Sequence, residues 1–334
     1  MTIKQEAARD KKNLLTTLTT ILKGSYGSNL TLLITLILMI VYFSLVAENF
    51  FQLDNMMNIA RAVAITGVVA VGETIVLISG GIDLSITSVM AAAGMTAALT
   101  IRAGAPFVVG ILVALLTGAL IGVINGLIVT KIHINPFITT LGMAQIIRGF
   151  AYIISARYSS TLTVPVEGFS ELGRGRLLGI IPYPVIVLIV VFIIAHFFLT
   201  KTLAGRYVYS IGGNPMACRY AGIDVDKWRL LFFAICSMMA GFGGYMLTSL
   251  VGSAIGNAAL GNEMNVIAAV ILGGASLAGG EGNIIGTFLG VFLLGTLTNG
   301  LIQLNVPSEW QMVAAGAVLM IALFIDSWRS GGYK

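Results

Sequence analysis

The chain has 334 residues, 57% of them hydrophobic and only 10% charged, with a formal net charge of +5. Ordinary soluble domains carry roughly 25% charged residues, so composition excludes a soluble globular protein. The basic excess sits in a few short segments, which argues for loops that orient a membrane protein and against a nucleic-acid partner. Two cysteines, Cys218 and Cys236, and two histidines, His133 and His196, give neither a disulfide framework nor metal-ligand spacing.

In chain order, residues 1–29 are polar and basic, with Lys4, Arg9, Lys11, Lys12 and Lys23. The apolar run 30–47 that follows is longer than the core of a usual cleaved signal, and Leu45-Val46-Ala47 is a poor cleavage site. It reads as an uncleaved first span behind a cytoplasmic tail. A bilayer core of ~30 Å needs about 20 apolar residues as a helix. Further charge-free runs cover 84–101, 103–130, 182–200, 282–308 and, from Leu230 to Asn262, 33 consecutive residues.

Ten spans are expected near 30–47, 57–79, 84–101, 106–130, 136–156, 182–200, 229–250, 263–279, 284–304 and 310–326. All should be helical, because lipid offers no water to backbone groups and no barrel pattern is visible. The fold class is therefore all-α: a polytopic membrane protein of about ten transmembrane helices. Mid-span glycines predict that some are broken or re-entrant. The 40 glycines point to close helix contact. The domain reading is a tail (1–29), a transmembrane domain (30–326) with an inside loop at 201–228, and a C-terminal tail (327–334).

Lysine and arginine set the orientation. With the N-terminus in the cytoplasm, Arg61, Arg102, Arg148, Arg157, Arg174 and Arg176 lie outside or within spans, and the other 13 of the 19 basic residues lie inside. Both termini are then cytoplasmic. Residues 157–181 form the longest outside loop, a candidate docking surface. Residues 201–228 form the longest inside loop. There Asn214-Pro215 suits a helix start. A short helix from Met216 to Tyr220 would end at Gly222. Such a capped helix projecting from a bundle is either a mechanical knob or a solvated linker.

Four charges fall in or beside spans: Glu73, Asp83, Arg148 and Glu263. Buried charge in lipid usually faces a bundle interior or a wet cavity. The expected arrangement for Glu73 is a structural ion pair with Arg61 or Arg148, the alternative a polar route for a hydroxyl-rich solute. Asp83 with Ser85 suits the cap of a helix opening near Leu84. Asn125, Asn135, Thr139, Thr140, Gln145 and Asn299 are neutral groups that suit either a solute path or helix–helix bonding. The chain has no Gly-Lys pair, so no phosphate-binding loop is present.

Four blocks carry a resemblance: ISGGIDLSITSVMAAAG (78–94), INGLIVTKIHINPFITTLGMAQIIRG (124–149), GRYVYSIGGNPMACRYAGIDVDKWRL (205–230) and NVIAAVILGGASLAGGEGNIIGTFLG (265–290). In order, they resemble permease subunits of bacterial sugar ABC importers of the ribose, arabinose, xylose and galactofuranose type. The match covers roughly 45–326. The chain departs from the pattern at Ile86-Thr87-Ser88, where Val-Gly-Ser is frequent, and at Glu281, where a basic residue is common.

The resemblance implies two permeases, equal or related, with an ABC ATPase pair and a periplasmic sugar-binding protein, in the bacterial inner membrane. Gly213, Asn214, Ala217, Arg219, Gly222 and Ile223 would dock on the ATPase. Asp83, Ser85, Asn125, Thr139 and Asn299 are candidates for the translocation path. The chain itself would be no enzyme and hold no cofactor, ATP and Mg being bound by the partner ATPase. The implied cargo is a pentose or hexose. Rivals are a nucleoside, an autoinducer-type furanose or a branched amino acid in the same class. A different class, an ion-coupled secondary transporter, would rest on Glu73. An intramembrane enzyme would need a nucleophile, base or metal set that the two scattered histidines do not supply.

Overall fold

A computed structural model describes residues 25–166 and 168–329. Of the sequence-predicted tails, residues 25–29 open the first helix and 327–329 close the last, and the remainder lies outside the described residues. The helices are α1 (Ser25–Val46), α2 (Leu53–Ile78), α3 (Ile86–Arg102), α4 (Phe107–Leu127), α5 (Pro136–Ala156), α6 (Glu171–Arg174), α7 (Tyr183–Lys201), α8 (Leu203–Gly213), α9 (Pro215–Tyr220), α10 (Val225–Val251), α11 (Asn262–Leu272), α12 (Ile284–Gln303) and α13 (Ser308–Arg329). A π-helical turn, Ile128–Ile132, extends α4. Seven of these segments are long and apolar enough to cross a membrane, and three shorter apolar ones are α3, α11 and the start of α13. Each of the ten expected spans therefore holds a helix.

Four short strands cap one end of the bundle. β1 (Thr161–Thr163) pairs antiparallel with β4 (Ser253–Ile255), Leu162 opposite Ala254. β2 (Arg176–Leu177) pairs with β3 (Ile181–Pro182). Arg176 meets Asp54 at the start of α2 at 3.6 Å, so the α1–α2 turn lies at this strand end. The opposite end carries α8 and α9.

α2 is the axis of the fold. It is apolar on all sides, the pattern of a helix surrounded by protein, and every residue from Gly67 to Ser79 is buried. α10 packs beside it, and α4 lies on α10 through a row of glycines four residues apart. A Cβ at Gly118 would stand 2.2 Å from the Ser237 carbonyl oxygen, one at Gly122 2.4 Å from that of Phe233, and one at Gly126 2.8 Å from the Leu230 Cα. The two backbones touch because no side chain separates them, the usual device of membrane helix pairs.

The eighth expected span, 263–279, is only half a helix. α11 has 11 residues, about 16 Å at 1.5 Å per residue, too short for the bilayer core. It ends at Gly273-Gly274, with Gly274 N–H donating to the Ile271 carbonyl (2.8 Å) and Ala275 N–H to that of Val270 (3.2 Å). α2 ends in the same way: Gly80 donates to Leu77 (3.0 Å) and Gly81 to Val76 (2.9 Å). Both are glycine-closed helix ends with 6→1 bonds. The irregular backbone after α2 is buried or half-buried, and so is that after α11 except at Ala278 and Glu281, which are exposed; such cover is the condition under which irregular backbone survives at membrane depth. The two breaks touch, since Gly280 N–H donates to the Ile78 carbonyl at 2.7 Å.

Candidate functional site

The projecting segment is built from local capping. Thr202 Oγ1 accepts from Gly205 N–H at 3.0 Å and starts α8. Val208 and Ile211, three residues apart, bury one face of it. Asn214 Oδ1 accepts from Ala217 N–H at 2.9 Å and starts α9. Gly222, at φ +81°, closes α9, with Ile223 N–H returning to the Cys218 carbonyl at 2.9 Å. Asp224 then caps α10 through Lys227 N–H at 3.0 Å, and Arg219 Nη2 meets Asp226 Oδ1 at 2.7 Å. The short helix stands as the sequence predicts. The stretch before it, expected as loop, is the helix α8.

Gly213, Asn214, Ala217, Arg219 and Gly222 are exposed, while Ile223 is half-buried. Met216 is 53% and Tyr220 86% exposed. One turn apart, they place an apolar strip beside Ala217. Sequence analysis missed this pair, although their i, i+4 spacing was the available signal.

The knob is rooted in the bundle. A Cβ at Gly212 would stand 1.8 Å from the Ile78 carbonyl oxygen and 2.5 Å from Gly280 N. The segment therefore presses directly on the point where the breaks after α2 and α11 meet. Tyr209 donates its hydroxyl to the Gly282 carbonyl at 3.1 Å. Burial pushes its phenol up from the usual value, which keeps that donor protonated. Tyr207 packs on Trp228 with ring centroids 4.9 Å apart. α8 thus contacts the ends of α2 and α10 and residues 279–282.

Above this root lies a closed polar cluster. Ser237 on α10 donates to Asp83 Oδ2 at 2.9 Å. Asp83 Oδ1 accepts from the Ser85 backbone N–H at 2.9 Å and from the Ser85 hydroxyl. Asn125 on α4 donates to Ser85 Oγ at 3.0 Å. Asp83 N–H donates to Glu73 Oε1 at 3.2 Å, and the Cys236 thiol lies 3.5 Å from Glu73 Oε2. Glu73, Asp83, Ser85 and Asn125 are fully enclosed. The expected ion pair of Glu73 with Arg61 or Arg148 is corrected. Among the described residues the ion pairs are Arg176–Asp54 and Arg219–Asp226, and Arg148 bonds backbone carbonyls instead. The helix cap expected of Asp83 with Ser85 is not formed: Ser85 is the N-cap residue of α3 and makes no side-chain capping bond, while Asp83 binds the Ser85 N–H and ties the segment before α3 to α10.

The remaining path candidates fall elsewhere. Asn299 lines a cleft of about 190 Å³ between α2, α11 and α12, with Asn58, Thr66, Asn262, Asn265 and Thr298. Its amide exchanges bonds with Asn55 at 2.9 and 3.0 Å. Thr139 is buried on α5, and its hydroxyl has no protein partner. Asn135 caps α5 through Phe137 N–H at 2.9 Å. Asp83, Ser85 and Asn125 line neither this cleft nor the smaller cavity beside α5.

Residues 55–323 match the family described as branched-chain amino acid transport system / permease component. The chain belongs to this permease family. The permease is 38% identical to the ribose import permease protein RbsC of Escherichia coli (strain K12), over 88% of this chain and 92% of that one. It is 38% identical to the protein of that name from Bacillus subtilis (strain 168), over 88% and 91% of the two chains. The L-arabinose ABC transporter permease protein AraH of Azospirillum brasilense is 35% identical over 86% and 84%. No solved structure matches the permease. With this membership, the rooted knob and the seven long apolar helices describe the membrane component of a transporter, a polytopic all-α protein.

Proposed function

We propose that this permease is the membrane subunit of an ATP-driven importer that moves a monosaccharide, a pentose or hexose, delivered by a periplasmic binding protein. ATP is hydrolysed by a separate subunit that grips α8 and α9. The observation that carries the reading is the capped α9 with its exposed Met216–Tyr220 strip, rooted through Gly212 on the junction of two broken helices. Such an element passes a rigid-body push from a soluble partner into the bundle. Gly213, Asn214, Ala217, Arg219, Gly222 and Ile223 frame that strip and form the docking segment.

Orientation follows from the basic residues: α9 and both termini face the cytoplasm of the inner membrane. The strand end, with residues 157–181, faces the binding protein. A second permease, identical or related, completes the pathway. The relatives named for ribose and L-arabinose support a sugar cargo. So does the cleft containing Asn299, whose polar walls are amides and hydroxyls without a charged side chain. Asn299 lines the cleft and is the path residue it supports; Thr139 lines neither cavity and is kept for its buried, unpartnered hydroxyl, and Asp83, Ser85 and Asn125 act as the joint between α2, α3, α4 and α10. The family description keeps one rival open within the class, a branched amino acid.

Co-purification with a partner ABC ATPase tests the reading. Gly213→Glu and Arg219→Glu should each weaken the association. Full ATPase retention by the double variant would remove the docking assignment.

A further inference from the structure

A second set of charged side chains lies inside the bundle, away from α9. Arg148 on α5 is 5% exposed. Its Nη1 donates to the carbonyls of Gly256 and Ala258 at 3.1 and 2.8 Å, and its Nη2 to Thr87 Oγ1 at 3.2 Å. The Thr87 hydroxyl in turn donates to Glu263 Oε2 at 2.7 Å. One guanidinium and one carboxylate therefore join the middle of α5, the start of α3 and the loop entering α11.

A structural staple would explain those bonds. It does not explain what is left over. A cavity of about 90 Å³ lies against the group, with Thr87, Ser88, Gln145, Arg148 and Glu263 on its polar side. Arg148 Nε–H, buried, has no partner among the described residues. Glu263, half-buried, lines the same cavity. Gln145 stands exposed at the mouth, and around Gly142 and Gly149 on the same helix the space is open. Buried polar groups are normally satisfied, so an unmet buried donor on a side chain that lines this cavity points to something that enters it.

We propose that this cavity is a contact subsite of the translocation path, and that it takes a neutral, hydroxyl-rich solute. The proposal rests on the permease reading above. Arg148 and Glu263 compensate each other across Thr87, so an ionic solute attracted by one is repelled by the other. A single N–H, a carboxylate oxygen and an amide match the mixed donor and acceptor character of neighbouring hydroxyls. The guanidinium's paired edge, which grips carboxylates, is committed to two carbonyls and Thr87. An amino acid therefore fits less well than a sugar.

The test uses Gln145→Cys in the complex with its ATPase and binding protein. Cys218 and Cys236 are buried, so a polar maleimide reports on position 145. Neutral aldoses (D-ribose, L-arabinose, D-xylose, D-galactose) should slow labelling, while L-valine and D-galacturonate should not. Adding Glu263→Gln should raise the half-protecting sugar concentration about tenfold, the cost of one charge-assisted hydrogen bond. It should also let D-galacturonate protect, since Arg148 is then an uncompensated cation. A purely structural role would move neither readout. Labelling indifferent to every aldose, with binding-protein-stimulated ATP hydrolysis intact, would overturn the subsite alone. Protection by L-valine and by no sugar would overturn the solute class. A complex that fails to hold its ATPase would overturn the permease reading and the subsite with it.

Discussion

Gly212 and Gly213 are neighbours in sequence and opposites in environment. A methyl group at Gly212 would fall 1.8 Å from the Ile78 carbonyl oxygen and 2.5 Å from Gly280 N, whereas one at Gly213 meets nothing within 4 Å. The atoms at Gly212 are backbone, so no side-chain rotation relieves the clash. Gly212→Ala must separate α8 from the end of α2 or break the 2.7 Å bond between Gly280 N–H and Ile78 O. Overpacking costs about 1–3 kcal/mol, and a buried donor left unpaired about 1–3 kcal/mol more. Where both occur, the expected loss is therefore roughly 2–6 kcal/mol. At Gly213, which is helical with negative φ, alanine should stabilise by about 0.4–1 kcal/mol. Thermal unfolding of both variants in detergent, with ATP hydrolysis by the assembled complex as a second readout, separates them. Gly212→Ala should melt lower and uncouple hydrolysis from uptake. If it matched wild type in both assays, the rooted-knob argument would be refuted.

Met216→Ala with Tyr220→Ala should weaken ATPase association by about 30-fold or more, the loss of one hot spot of roughly 2 kcal/mol, measured by surface binding of the purified ATPase. Asp83→Ala removes the acceptor of three hydrogen bonds, from Ser85 N–H, Ser85 Oγ and Ser237 Oγ. It should destabilise the bundle by about 2–5 kcal/mol in denaturant unfolding, and Asp83→Asn by less. Glu73→Gln keeps an acceptor for Asp83 N–H and removes a buried carboxylate that has no cation near it. ATP-driven uptake and melting temperature should both be retained, and abolished uptake at normal expression would favour ion coupling.

The helices in the ten expected spans, seven of them long enough to cross, were legible because lipid forbids charge over whole runs, and the runs from 84 to 130 are broken only at Arg102. The α9 helix was legible because its signals are local: Asn214-Pro215 at one end and Gly222 at the other. α8 was hidden by Gly205, Gly212 and Gly213, which read as loop. It forms because Thr202 caps it and Val208 and Ile211 bury one face. The halving of α11 was only hinted at by Gly273-Gly274, since the residues after it remain apolar. The partners of buried polar groups were not legible. Charge complementarity suggested an arginine for Glu73, but Arg148 finds carbonyls more than a hundred positions along the chain, and such pairings depend on how separate helices turn toward each other. The bonds joining Asp83, Ser85, Asn125 and Ser237 were out of reach for the same reason.

The most direct measurement is solute accumulation in proteoliposomes containing this chain alone, or together with its ATPase and binding protein. The account predicts that lumenal sugar rises only in the complete assembly, only with ATP, and not when α9 carries Gly213→Glu with Arg219→Glu. Accumulation by the chain alone on an ion gradient, or uptake indifferent to the α9 substitutions, would contradict it.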